Sequence, residues 1–181
     1  VEDFKQEVKD WLKESRHSKF NVEYNRMTYL PMIELIDYLK ANDFKVYIVS
    51  GGGVDFMRAW ATEAYGIPSE QILGSSLKTK LVKTDSSVTI MKEAALDFFD
   101  DKEAKPLAIE KHIGKRPTIA VGNSDGDLQM LQYSADGKNK SLQIYIRHTD
   151  DQREYKYDRE SHIGRLNKGL DEANERGGLV V

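Results

Sequence analysis

The chain has 181 residues, 39% of them hydrophobic and 31% charged, with a formal net charge of −3 and no cysteine. That length is enough for one domain with a sizeable core, and the composition is globular rather than disordered. Disulfides, thiol catalysis and cysteine-based zinc sites are excluded, the basic excess that nucleic acid requires is missing, and no apolar run is long enough to cross a bilayer.

In chain order, Phe4, Val8, Trp11 and Leu12 fall at i, i+4, i+7 and i+8, which predicts an amphipathic helix ending near Arg16-His17-Ser18. Residues 18–27 read as a polar loop. Pro31 opens a second helix, where its missing N–H costs nothing, and Ala41-Asn42-Asp43 closes it. Phe44-Lys45-Val46-Tyr47-Ile48-Val49 is the strongest strand, running into Ser50-Gly51-Gly52-Gly53. A third helix carries Val54, Met57, Ala61 and Ala64-Tyr65, with Gly66 and Pro68 as its stop. Helix, strand, glycine turn, helix is the pattern of a parallel α/β sheet.

Ile72-Leu73-Gly74 reads as a short strand, and the segments around Thr84-Asp85-Ser86-Ser87 as a β-hairpin. A helix is predicted from Ala104 to Ile113, stopped by Gly114. Pro117-Thr118-Ile119-Ala120-Val121 is a buried strand, and Leu128, Met130 and Leu131 begin the helix after it. Leu142 to Arg147 is a further strand. Residues 148–160 are strongly charged, and a last helix carries Ile163, Leu166, Leu170 and Ala173. Trp11 and Trp60 read as core, and His17 and His112 as surface or interhelix residues. The opening inside a helix without Met and the close on Gly177-Gly178-Leu179-Val180-Val181, a strand just starting, lead to the expectation of a fragment or processed chain.

Chemistry concentrates at three places. Gly122-Asn123-Ser124-Asp125-Gly126-Asp127 follows a strand's carboxyl end, where open α/β sheets bind ligands. Its two carboxylates and one carboxamide are oxygen donors suited to a hard cation. The plainer reading is an Asx-rich turn with Asp125 or Asp127 near the helix N-cap. An EF-hand is excluded, because Leu128 stands where its Gly belongs and Ser134 where its Glu belongs. Ser50-Gly51-Gly52-Gly53 lets backbone N–H groups approach an anion, although it matches neither nucleotide fingerprint. Lys105, just before Pro106 at a helix head, could neutralise a phosphate, with Lys102, Lys111 and Lys115 as competitors. His148, Arg147 and Arg153 follow another strand's end, and a solvated charged loop is their preferred reading.

The order of Val46-Tyr47-Ile48-Val49-Ser50, then Lys105, then Ile119 to Asp127 resembles the second, third and fourth motifs of the haloacid dehalogenase superfamily. The hairpin after Ile72-Leu73-Gly74 and the Gly-x-Ser-x-x-Asp form of the last motif suit its phosphoserine-phosphatase-like branch. The stretch from His148 to Arg159 resembles a bacterial subgroup of that branch. Two departures stand out. The first motif, Asp-x-Asp-x-Thr/Val after the first strand, which supplies the nucleophile and the general acid/base, is absent, so its expected place is upstream of Val1; and Asn123 stands where many members carry a metal-binding Asp.

The resemblance implies a Rossmann-like three-layer α/β/α parallel sheet over residues 28–181, lacking its first strand, with residues 1–27 as the remnant of a helical cap. It implies a phosphatase acting on a small phosphorylated substrate through an aspartyl-phosphate, with Mg²⁺ as cofactor. Ser50, with the N–H groups of Gly51 and Gly52, would hold phosphoryl oxygens, and Lys105 would bridge nucleophile and phosphate. Asn123 and Asp127, joined by Asp125, would position the metal, with Asp125 as a solvent-facing helix cap for an alternative. A second reading is a non-catalytic phosphate- or nucleotide-binding module, or a pseudo-enzyme.

Overall fold

A computed structural model of the chain describes residues 1–153 and 156–181; residues 154 and 155 of the charged stretch lie outside the described residues. The chain divides into two compact units, Val1–Asp100 and Asp101–Val181.

In the first unit, helix α1 (Glu2–Glu14) places Glu2 and Asp3 in its first turn and Lys13 in its last, matching the helix dipole at both ends. Its buried face, Val8 and Leu12, packs with Ala59. Helix α2 (Leu30–Ala41) has Pro31 in its first turn. Strand β1 (Ile48–Gly53) pairs in parallel with the start of β2 (Ile72–Lys83), in the register Ile48 with Ile72, Val49 with Leu73 and Ser50 with Gly74. Two short helices, α3 (Val54–Arg58) and α4 (Ala61–Tyr65), make the crossover. Gly66 ends α4 at φ 61°, the left-handed stop the sequence indicates. Below the β1–β2 pair lie Ile36, Val54, Met57, Ala61, Ile67 and Ile72. The far part of β2 turns back in antiparallel pairing with β3 (Val88–Phe98).

Several expectations in this unit are corrected. The strand expected from Phe44 begins at Ile48, because its partner β2 begins opposite, at Ile72. The Phe44 N–H instead bonds the Leu39 carbonyl at the end of α2. The single helix expected over 54–65 is broken at Trp60 (φ −138°), which lets Val54, Met57 and Ala61 face one apolar cluster and Ala59 another. Ile72-Leu73-Gly74 is no separate strand but the start of β2. Trp11 is 46% exposed and stacks on Tyr24 with centroids 5.4 Å apart, rather than filling the core.

The second unit holds α5 (Ala104–Ile113), β4 (Ile119–Gly122), α6 (Leu128–Ala135), β5 (Leu142–Tyr145), α7 (Lys168–Arg176) and β6 (Leu179–Val180). The strands are all parallel in the order β4-β5-β6, with Gly122 opposite Tyr145 and Tyr145 opposite Val180. Ala120, Leu128, Leu131, Tyr145, Leu166, Leu170 and Ala173 form the core, and burial pushes the Tyr145 phenol above its ordinary range. The last helix starts later than expected, at Lys168. Gly164 has φ 67°, incompatible with a helix there, and Ile163 is 75% exposed.

The fold is mixed α/β, with parallel strands connected through helices, as the sequence pattern requires. In each sheet the strand leading into a candidate site loop, β1 or β4, is an edge strand. No helix among the described residues is long and apolar enough to cross a membrane.

Ile72, the first residue of β2, is fully buried. Ile72→Ala should cost about 2–5 kcal/mol in urea denaturation; a loss below about 1 kcal/mol would contradict this account of the first core.

Candidate functional site

The acidic turn is built on a close approach. A Cβ placed on Gly122 would lie 2.5 Å from the Asp127 Cβ, so only glycine at the end of β4 lets Asp127 fold back over the strand. Asp127 Oδ2 accepts the N–H groups of Asn123 (3.0 Å) and Ser124 (3.2 Å) and the Ser124 hydroxyl (3.3 Å). Its other oxygen, Oδ1, meets Lys105 Nζ at 3.1 Å. Both residues are buried, Lys105 to 4% exposure and Asp127 to 8%. A buried pair of opposite charges is tolerated when the geometry is good and the remaining lone pairs are satisfied, and both conditions hold here. Ser124 and Asp127 also form a capping box on the short turn that leads into α6, so the acidic turn opens a helix and holds a charge centre at once.

Lys105 reaches this position from the first turn of α5, where Pro106 loses no helical hydrogen bond. The Lys102 N–H bonds the Gly126 carbonyl at 3.1 Å, joining the head of α5 to the turn through the backbone as well.

Asp125 has a different task from those expected of it. Its Oδ1 accepts the N–H groups of Asn167 (2.9 Å) and Gly169 (3.0 Å) at the start of α7. Its own N–H donates to the Arg165 carbonyl at 2.8 Å. It is therefore not a solvent-facing cap of its own helix: it caps another helix, more than forty residues away.

In the first unit, β1 continues through the glycines to Gly53, with a register shift between Ser50 and Gly53. Ser50 Oγ accepts the Gly52 N–H at 3.1 Å, which leaves the hydroxyl proton for another acceptor. Ser75 was not anticipated. Its hydroxyl donates to the Gly51 carbonyl at 2.7 Å and accepts the Asp100 N–H at 3.0 Å, tying the glycine loop to β2.

The solvated reading of the charged stretch is corrected for His148. That ring is 6% exposed and meets the Tyr157 ring edge-on at 5.2 Å. Arg147 pairs with Asp158 at 3.0 Å, and Arg153 pairs with Asp150.

The donor set on the turn does not by itself fit Mg²⁺. Both Asp127 oxygens are engaged by Lys105 and by turn N–H and O–H donors, and Asp125 Oδ1 is engaged by α7. The turn is then left with the neutral Asn123 oxygen and the second Asp125 oxygen, where a hard dication calls for several carboxylates. Among the described residues, no group of three or more His, Asp or Glu is placed to hold a metal.

The sequence profile of the haloacid dehalogenase-like hydrolases matches residues 1–132, nearly three-quarters of the chain. The chain belongs to that family. The match includes Ser50, Lys105 and the acidic turn through Asp127, and ends before the segment that holds Asp125. No curated protein matches the chain. A solved structure, a phosphoserine phosphohydrolase-like protein from Francisella tularensis subsp. tularensis SCHU S4, is similar at 20% identity and TM-score 0.47. The similarity covers 78% of this chain and 57% of that one, so this chain of the dehalogenase-like family spans less than two thirds of that protein's length.

Two outcomes follow. Lys105→Met should destabilise the second unit by about 3–5 kcal/mol, because it leaves a buried carboxylate uncompensated. A double-mutant cycle with Asp127→Leu should return a coupling above about 1 kcal/mol, whereas additive effects would contradict the pair. The second concerns acid. The Arg159 N–H, then the Arg147 guanidinium, hold the Asp158 carboxyl below its ordinary 3.8, and the Arg159 guanidinium holds Asp171 below the same value. A depressed carboxylate contributes its stability above the unfolded pKa and loses it as pH falls through the folded one. NMR-detected titration should therefore show residues 158–171 loosening only below pH 3.8; loosening of this segment between pH 5 and 7 would contradict it.

Proposed function

We propose that this chain belongs to a phosphomonoester hydrolase. The observation carrying this reading is the buried Lys105–Asp127 pair at the carboxyl end of a parallel strand. It fixes an ammonium group at the kind of sheet position where ligands bind, and catalysis of phosphoryl transfer is largely positioning and charge neutralisation. In this reading the Ser50 hydroxyl and the N–H of Gly51 hold phosphoryl oxygens, while the Gly52 N–H stays on Ser50 Oγ and orients that hydroxyl. Lys105 bridges phosphate and nucleophile, and Asp127 orients Lys105. The nucleophile is the first aspartate of an Asp-x-Asp-x-Thr/Val motif belonging upstream of Val1: its carboxylate attacks phosphorus, the ester oxygen leaves with a proton from the motif's second aspartate, and water, giving its proton back to that aspartate, attacks phosphorus and releases phosphate and the free carboxylate. The open edges of β1 and β4 are of the kind that accepts another strand. Residues 1–27 belong to the cap in this reading.

Mg²⁺ enters only with the carboxylates of that upstream motif. Asn123, with the second oxygen of Asp125, is what the turn leaves to face the ion, which when bound would offset charge on the phosphoryl group. Asp127 and Asp125 Oδ1 act on Lys105 and on α7 instead.

The missing Asp-x-Asp-x-Thr/Val strand end supports a second reading, a phosphate-binding module without turnover. Assay with p-nitrophenyl phosphate and Mg²⁺, on this chain alone and on the chain extended by its encoded upstream segment, separates the two. Hydrolysis by the extended chain only, falling at least about 100-fold in Lys105→Ala, is the expected result. Turnover by this chain alone contradicts the assignment of the nucleophile, and an inert extended chain favours the binding module.

A further inference from the structure

The segment between β5 and α7 has no place in the scheme above, yet it bonds directly to the acidic turn. Asp125 lies at the centre of the five-residue turn 123–127, and that segment holds it from both sides. Its N–H goes to the Arg165 carbonyl, and its Oδ1 takes the N–H groups of Asn167 and Gly169. Between these partners, Leu166 is fully buried in the core cluster that also holds Ala120, Leu128 and Leu131, which fixes the segment to the core of the unit.

Arg159 stiffens the arrangement. One guanidinium nitrogen donates to both the Asn167 carbonyl (3.1 Å) and the Asn167 side-chain oxygen (2.8 Å), and the other meets Asp171 Oδ1 at 2.7 Å. Asp158 accepts from Arg147 at the end of β5, and its carbonyl accepts the Leu166 N–H. The fork geometry of Arg suits such simultaneous contacts.

We infer that Asp125 is a positioning residue and that residues 158–169 act as a lock on the acidic turn. The lock sets the geometry in which the Asn123 and Ser124 amides hold Asp127, and hence Asp127 holds Lys105. The inference rests on reading that turn as part of the phosphate site, but its structural content does not depend on the substrate. A side chain serving only to cap α7 would stabilise Asn167 and Gly169 and leave residues 123 and 124 indifferent to its loss.

Amide hydrogen exchange by NMR distinguishes the two. In Asp125→Ala and, independently, in Arg159→Ala, exchange at Asn123 and Ser124 should accelerate about tenfold or more while Val121 in β4 keeps its protection. Asp125→Asn, whose side-chain oxygen can still accept both bonds, should restore the slow exchange. Acceleration confined to Asn167 and Gly169 in both variants overturns the lock. If Asp125→Ala fails to fold, the Arg159→Ala result decides alone. The measurement needs no substrate, so failure of the phosphatase reading shows in the turnover assay and leaves this readout unchanged.

Discussion

A lysine and an aspartate facing each other out of water form the constraint around which the second unit is arranged. Neither charge is stable in that position by itself. Lys105 and Asp127 are both almost fully buried, and the desolvation cost of each is offset by the other and by the donors around Asp127 Oδ2. Meeting that condition dictates the local sequence. β4 must end in glycine, or Asp127 cannot fold back. Ser124 must sit where its N–H and hydroxyl reach the carboxylate, and α5 must begin where its second residue can reach across. The same residues stop a strand and start a helix, so secondary structure and charge placement have one cause.

Both candidate loops grow from edge strands at the carboxyl ends of parallel pairs. Parallel strands are normally covered on both sides, and an edge exposes unpaired N–H and C=O groups. The loops are held accordingly. Ser75 fastens the glycine loop to β2, and the α7 segment fastens the acidic turn through Asp125. Rigidity at such places is what lets a polar group present one fixed geometry to an incoming anion.

Much of this was legible in the amino-acid sequence because it depends on local rules. Pro31 and Gly66 bound helices as their backbone preferences require, and α5 runs from Ala104 to Ile113 with Gly114 as its stop. The strand–turn–helix carrying Asn123 to Asp127 was readable from β-branched residues followed at once by polar ones. What stayed hidden depends on distant partners. The start of β1 is set by where β2 begins, and the break at Trp60 by two clusters competing for one segment. Asp125 looked like a ligand or a cap of its own helix, and no local pattern reveals that its acceptors' partners lie at Asn167 and Gly169. His148 looked solvated because its neighbours are charged, while its ring is buried against Tyr157. Gly122 could have been suspected, since a glycine before a doubly acidic turn is what a close backbone approach requires.

The central claim is that the buried Lys105–Asp127 pair holds the turn after β4 in one geometry. Amide hydrogen exchange at Asn123 and Ser124 in Lys105→Met tests it most directly. The account predicts that both amides exchange about tenfold faster or more than in the unsubstituted chain. Unchanged exchange at both would contradict it.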